Sequence, residues 1–173
     1  MKNIEELNLY RINEKYAKYI YNQDKKVLKA YDIKNKRPFI GIILEINNIS
    51  YFAPLSSPKK KHEKMKNNID FLKINNGRDG VINLNNMIPI PLGCYKKINI
   101  KEEIVRDKKY GLILKYQIIW CNKNIETIMK NAEKLYKLVS NNKANLNIQK
   151  RCCNFKFLET KLNQYILNQE KSE

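Results

Sequence analysis

Along residues 7–12 apolar and polar side chains alternate, and Asn13 then precedes a stretch in which Tyr16, Tyr19 and Ile20 share one helical face. This pattern predicts a strand followed by a short helix capped by Asn13. Residues 25–37 are basic and carry no period, which predicts a loop bearing Tyr31, Lys34, Lys36 and Arg37. Two apolar runs, 39–46 and 49–55, flank Asn47-Asn48, a pair of residues that tolerates positive φ, so a tight β-hairpin is expected there. Gly41, inside the first run, predicts a bulge or the close approach of another backbone.

Further strands are expected at 70–74 and 80–84 around the turn Asn75-Asn76-Gly77. Pro89 and Pro91 confine residues 87–91 to a sheet edge or a bulge, and 95–100 reads as one more strand, with Glu102 and Glu103 diverging as neighbours do on extended backbone. The period then changes. Ile125, Ile128, Met129, Ala132, Leu135, Tyr136 and Val139 recur at helical spacing, and 110–121 predicts a preceding helix. After Asn141-Asn142-Lys143 a polar loop leads to Asn154, a cap for a last helix with Leu158, Leu162, Tyr165 and Ile166 facing inward. Strands followed by helices give an α+β fold, and nothing divides residues 1–173 into more than one domain.

Charge adds a partner to this picture. Lys and Arg number 34 against 17 Asp and Glu, a formal charge of +17, well beyond what solubility asks of a chain of 173 residues. Codon bias toward Lys, Asn and Ile would enrich Glu as well, so two bases per acid point to a polyanion, and nucleic acid is the natural one. No run approaches the roughly 18 apolar residues of a membrane span, and Met1 to Glu6 lacks the apolar core of a signal peptide, so a cytoplasmic protein is expected. Cys94, Cys121, Cys152 and Cys153 show no metal-ligand spacing and suit reduced, structural thiols.

The densest candidate chemistry follows the second hairpin strand. Ala53-Pro54-Leu55-Ser56-Ser57-Pro58-Lys59-Lys60-Lys61-His62 holds two hydroxyls, three lysines and the chain's one histidine. Scattered acids do not supply the converging carboxylates of a two-metal nuclease, the five glycines form no phosphate loop, and one histidine rules out a two-histidine nuclease. What remains is RNA cleavage in which the 2′-hydroxyl attacks its own phosphate and the protein positions it and stabilises charge. Ser56 and Ser57 can hydrogen-bond a phosphate, and Lys59, crowded by Lys60 and Lys61, can neutralise it or transfer a proton. The same residues also read as an ordinary solvated loop, with His62 a surface or hydrogen-bonded spectator. Tyr31 can stack on a base, although most of the 11 tyrosines belong to packing.

Three blocks carry a resemblance: Arg37-Pro38-Phe39-Ile40-Gly41-Ile42-Ile43-Leu44, Tyr51-Phe52-Ala53-Pro54-Leu55-Ser56-Ser57-Pro58-Lys59 with His62, and Gly80-Val81-Ile82-Asn83-Leu84-Asn85-Asn86-Met87-Ile88-Pro89. In order and spacing they resemble the ToxN/AbiQ endoribonuclease toxins of type III toxin-antitoxin systems, with a weaker likeness at Cys153-Asn154-Phe155. The resemblance implies a compact, strongly twisted antiparallel sheet surrounded by helices, similar to the Kid/MazF toxin fold. It implies RNA cleavage without a metal or cofactor, leaving 2′,3′-cyclic phosphate and 5′-hydroxyl ends. A repeat-derived pseudoknot RNA, processed by the toxin, would inhibit it within a closed alternating protein-RNA assembly, in phage defence or locus maintenance.

By motif, Ser57 and Lys59 match the family's central hydroxyl and lysine, Ser56 a neighbouring hydroxyl position and Arg37 the basic residue before the Phe-Ile-Gly strand. Tyr31 and His62 complete the expected catalytic set. Lys34, Lys36, Lys60, Lys61, Lys64 and Lys66 are expected to bind RNA. The rival reading is a basic RNA-binding protein with no catalysis.

Overall fold

The computed structural model describes residues 6–31 and 36–171. Its centre is the expected hairpin, β2 (Phe39–Ile46) against β3 (Ile49–Ser56), turned by Asn47 and Asn48 at φ 50° and 61°. β1 (Asn8–Ile12) pairs with β2, and α1 (Glu14–Tyr21) follows at once, with the Asn13 side chain accepting from the Tyr16 N–H. On the other edge of β3 lie two short strands. β5 (Val81–Ile82) meets Leu55 and Ser56, and β6 (Ile88–Pro89) meets Tyr51 and Phe52. With β4 (Leu72–Lys73) beyond β5 and β7 (Tyr95–Lys97) beyond β1, all pairings are antiparallel and the order is β4-β5-β3-β2-β1-β7, with β6 off that path.

Gly41 meets the bulge reading of its position, but what approaches it is a side chain and not another backbone. The β2–β3 register shifts between Ile40 and Leu44, and a Cβ on Gly41 would lie 2.1 Å from the Phe52 ring. The bulge brings a buried aromatic against bare backbone.

Helices close over this sheet. α3 (Ile100–Arg106), α4 (Lys108–Lys123), α5 (Ile125–Ser140) and α7 (Phe155–Glu170) include the predicted stripes, with Ile128, Ala132, Leu135, Tyr136 and Val139 of α5 buried. Asn154 caps α7 as expected, and Leu158, Leu162 and Tyr165 face in, but Ile166 is on the exposed side. Its place one residue after Tyr165 rotates it by about 100° from the apolar stripe.

Three other expectations are corrected. Glu102 and Glu103 stand in the first turn of α3, not on extended backbone, because Asn99 accepts from the Lys101 and Glu102 N–H groups and starts a helix there. Residues 146–151 form α6 (Leu146–Arg151), capped by Asn145, where a polar loop was expected. The lysine run forms a short helix, α2 (Lys60–Lys64). The four cysteines are buried and free.

One polar cluster ties the layers together. The buried Glu159 carboxylate of α7 accepts from the Tyr136 hydroxyl at 2.6 Å, the Tyr51 hydroxyl at 2.9 Å and Lys156 at 3.2 Å. Burial, then Glu159 itself, pushes the Tyr51 hydroxyl far above its ordinary range, so it remains a donor. Glu159→Ala would leave the Tyr136 hydroxyl short of an acceptor and the Tyr51 hydroxyl with only a long contact of 3.4 Å to the Phe155 carbonyl. The expected loss of unfolding free energy is about 3 kcal/mol in urea denaturation, against about 1 kcal/mol for Tyr136→Phe.

Candidate active site

The C-terminal end of β3 opens into a cavity of about 600 Å³. Arg37, Ser56, Lys59, Lys61, His62 and Lys66 line it, together with Asp70, Phe71, Asn83, Asn85, Asn86 and Arg151 among others.

Its best-defined part is a hydrogen-bonded triangle. Ser56 is half-buried at the end of β3, where Val81 of β5 is its partner. Its Oγ accepts from Arg37 Nη1 at 3.0 Å and from Asn83 Nδ2 at 3.0 Å. With both acceptor positions occupied, the hydroxyl proton is left to donate outward. Asn83 is itself fixed, since its backbone N–H and its Nδ2 both donate to the Pro54 carbonyl. Arg37 Nη1 also donates to the Leu55 carbonyl at 3.1 Å.

Arg37 meets no carboxylate in an ion pair among the described residues, and its Nε is buried without a partner. Burial pushes the guanidinium down from its usual range, while Tyr110 opposes the shift. A partly buried cation with unspent N–H groups is what a bound phosphate oxygen would satisfy. Arg37 is also held from behind. Arg11 of β1 donates to the Lys36 carbonyl at 2.6 Å, while Glu103 of α3 accepts from Arg11 at 3.2 Å and pairs with Arg106. Arg11 and Glu103 therefore brace the backbone that delivers Arg37, a role with no motif in the sequence.

His62 is neither a surface residue nor a hydrogen-bonded spectator. It is 4% exposed on α2, and its buried Nδ1 has no hydrogen-bond partner among the described residues. The helix docks on the turn at 74–77, where a Cβ on Gly77 would come within 2.8 Å of the His62 carbonyl carbon. Burial first, then Lys61 and Lys59, lowers the imidazole pKa, so the ring is neutral at pH 7.

Because the unfolded chain then binds more protons than the folded one around the ordinary pKa, His62 makes stability rise with pH and fall as pH drops below about 6.5. His62→Phe is expected to flatten the decline of Tm between about pH 7 and pH 5, measured by thermal melts across that range.

The remaining expected residues distribute unevenly. Ser57 is exposed and does not line the cavity, although Ser56 and Lys59 on either side of it do. Lys60, Lys64 and Lys36 are exposed outside it, and Lys34 lies outside the described residues. Tyr31 packs edge-on against Tyr21 at 5.3 Å, with Lys29 over its ring, and does not line the cavity.

Sequence reasoning missed several of the lining residues. Asp70 is 1% exposed, and Arg151, 81 positions later, grips both of its oxygens. Asn83, Asn85 and Asn86 were visible only as part of a block that carries the family resemblance, with no local signal that they line the cavity. No cluster of three or more His, Cys, Asp or Glu side chains suited to a metal occurs among the described residues, and no helix there is long and apolar enough to cross a membrane.

Comparison with known proteins gives this arrangement a lineage. A family model described as Toxin ToxN, type III toxin-antitoxin system, matches residues 8–163. The chain is 31% identical over 169 residues to Endoribonuclease ToxN of Bacillus thuringiensis subsp. kurstaki, covering 95% of this chain and 87% of that one. A solved type III toxin inhibited by a non-coding RNA pseudoknot superposes with a TM-score of 0.80 at 29% identity, over 92% of this chain and 98% of that one. A chain from a bacterial antiviral system regulated by a processed non-coding RNA gives 0.76 at 31% identity, over 90% and 97%. A match spanning every described strand and almost all of the helical layer leaves one assignment: the chain belongs to the ToxN family of type III toxin-antitoxin toxins.

Proposed function

We propose that residues 1–173 form one endoribonuclease toxin domain whose active site is the cavity at the end of β3. The observation that carries this reading is the Arg37–Ser56–Asn83 triangle, a cation with no carboxylate partner among the described residues beside a hydroxyl whose proton is free to donate. These groups suit a phosphodiester. Arg37 and Ser56 hold its non-bridging oxygens and stabilise the charge that grows there as the 2′-hydroxyl attacks phosphorus. Lys59, at the N-terminal boundary of α2 and in the cavity lining, stabilises or protonates the departing 5′-oxygen, while the exposed Ser57 beside it orients the incoming strand. The products are a 2′,3′-cyclic phosphate and a 5′-hydroxyl.

Metal independence is supported by the donor set. The carboxylate in the cavity, Asp70, has both oxygens engaged by Arg151. The substrate is single-stranded RNA. An antitoxin RNA pseudoknot, like the one that inhibits the related solved toxin, is the proposed inhibitor, in a closed alternating assembly with the protein. The net charge of +17 favours such partners, and the antiviral relative supports a role in phage defence. The site of action is the cytoplasm.

The protein freed of RNA and mixed with adenine-rich RNA in excess EDTA is expected to cut at discrete positions, leaving cyclic-phosphate ends. Lys59→Ala is expected to slow cutting by about a hundredfold while its Tm stays near that of the parent. Tight binding with no cutting of any RNA would instead support the non-catalytic binding protein.

A further inference from the structure

The cavity has a second wall of different character. Phe71 lines it, yet belongs neither to the hydrophobic core nor to the partly buried residues packed on that core. Its one ring contact among the described residues is edge-on, with His62 at 6.3 Å and 66°. An aromatic ring standing half-open in a cationic, amide-lined cavity has a face that water covers poorly and a flat partner would cover well.

The surroundings fix the backbone that carries that ring. Phe71 and Asn68 exchange backbone hydrogen bonds in both directions across a tight turn. The preceding residue, Asp70, is clamped by Arg151, and the Asp70 carbonyl accepts from the Asn85 N–H at 3.0 Å. The Asp70–Arg151 pair cancels its own charge, so this wall offers a ring on a fixed backbone and polar groups without the net cation of the Arg37 wall. Asn85 has the least committed amide there, with one long contact from Nδ2 to the Arg151 carbonyl at 3.5 Å and no partner for Oδ1. A volume of about 600 Å³ leaves room for a base as well as a phosphate.

We propose that Phe71 is a stacking platform for one nucleobase next to the scissile phosphate, with Asn85 at the edge of that base and Arg37 and Ser56 on the phosphate. The proposal rests on the endoribonuclease reading for the identity of the phosphate, but the base subsite can be tested without cleavage. Stacking on a protein ring is tolerant of sequence and contributes strongly to single-strand binding. Phe71 then determines which nucleotide is set against the reacting groups.

The test uses short single-stranded 2′-O-methyl oligonucleotides, which lack the attacking hydroxyl, with 2-aminopurine placed at each position in turn. The full-length protein is expected to change the fluorescence strongly at one position. Phe71→Ala should abolish that signal and weaken binding roughly tenfold. Phe71→Tyr, which keeps the ring, should retain both. An unchanged signal in Phe71→Ala, or no position-specific signal in the parent protein, overturns the proposal. Unmodified RNA of the same sequence is incubated in parallel. A stacking signal with intact RNA removes the nuclease reading and leaves the base subsite, whereas cutting without a stacking signal does the reverse.

Discussion

Arg37→Ala is expected to lower kcat/KM for single-stranded RNA by about a hundredfold to a thousandfold, the usual effect of removing one positioned donor to a developing oxyanion. The guanidinium spans the Leu55 carbonyl and the Ser56 hydroxyl and carries a positive charge that no protein carboxylate neutralises among the described residues. Removing it takes away both the charge and one of the two donors that orient Ser56. Arg37→Lys should recover little, because Nη1 already serves both the Leu55 carbonyl and the Ser56 hydroxyl, and an ammonium on a flexible stem has no further planar nitrogen to offer the cavity. Stability should change little or rise, since a partly buried cation is lost along with its desolvation cost. Steady-state cleavage of a labelled RNA, with a thermal melt of each variant, checks this. Undiminished cleavage by folded Arg37→Ala would remove the triangle from the mechanism.

The second large effect is expected at Gly80, where the fold and the site share an atom. Gly80 has φ +103°, and a Cβ there would lie 2.0 Å from the Ser56 carbonyl oxygen. Gly80→Ala therefore combines the cost of an alanine at positive φ, about 1–2 kcal/mol, with overpacking of about 1–3 kcal/mol. A loss of roughly 2–5 kcal/mol in urea-monitored unfolding is expected, and because the clash falls on Ser56, activity of the folded fraction should drop as well. Gly93→Ala is the internal comparison. Gly93 also has positive φ, at 85°, but a Cβ there would meet nothing within 4 Å, so only the conformational cost of about 1 kcal/mol applies and cleavage should be unaffected. Equal destabilisation by both substitutions would show that backbone conformation, and not the Ser56 contact, governs Gly80.

Several parts of this protein were written locally and could be read locally. Asn47-Asn48 admits the positive φ of a tight turn, so the β2–β3 hairpin follows from two residues and the apolar runs beside them. Asn13 and Asn154 cap helices because their side chains accept N–H groups three positions on, a relation contained within one turn of chain. The α5 stripe repeats at helical spacing, and Ile128, Ala132, Leu135, Tyr136 and Val139 of it are buried. The excess of bases pointed to a polyanionic partner, and three sequence blocks, one of them running from Tyr51 to Lys59 with His62, carried the family resemblance before any geometry.

Other features could be fixed only by elements distant along the chain. Ser56 and Ser57 are adjacent and chemically identical, and it is the pairing of Ser56 with Val81 and the reach of Asn83 and Arg37 that draws the first into the cavity and leaves the second exposed. His62 sits in a run of lysines that reads as solvated, and its burial depends on docking against Gly77. Asp70 and Arg151 carry no mutual signal over 81 positions, yet their pairing builds the wall on which Phe71 stands. Period, capping and turn chemistry act over a few residues and are therefore legible in sequence, whereas the choice of which side chain faces the substrate is made by strand register and helix docking, which only the assembled tertiary structure determines.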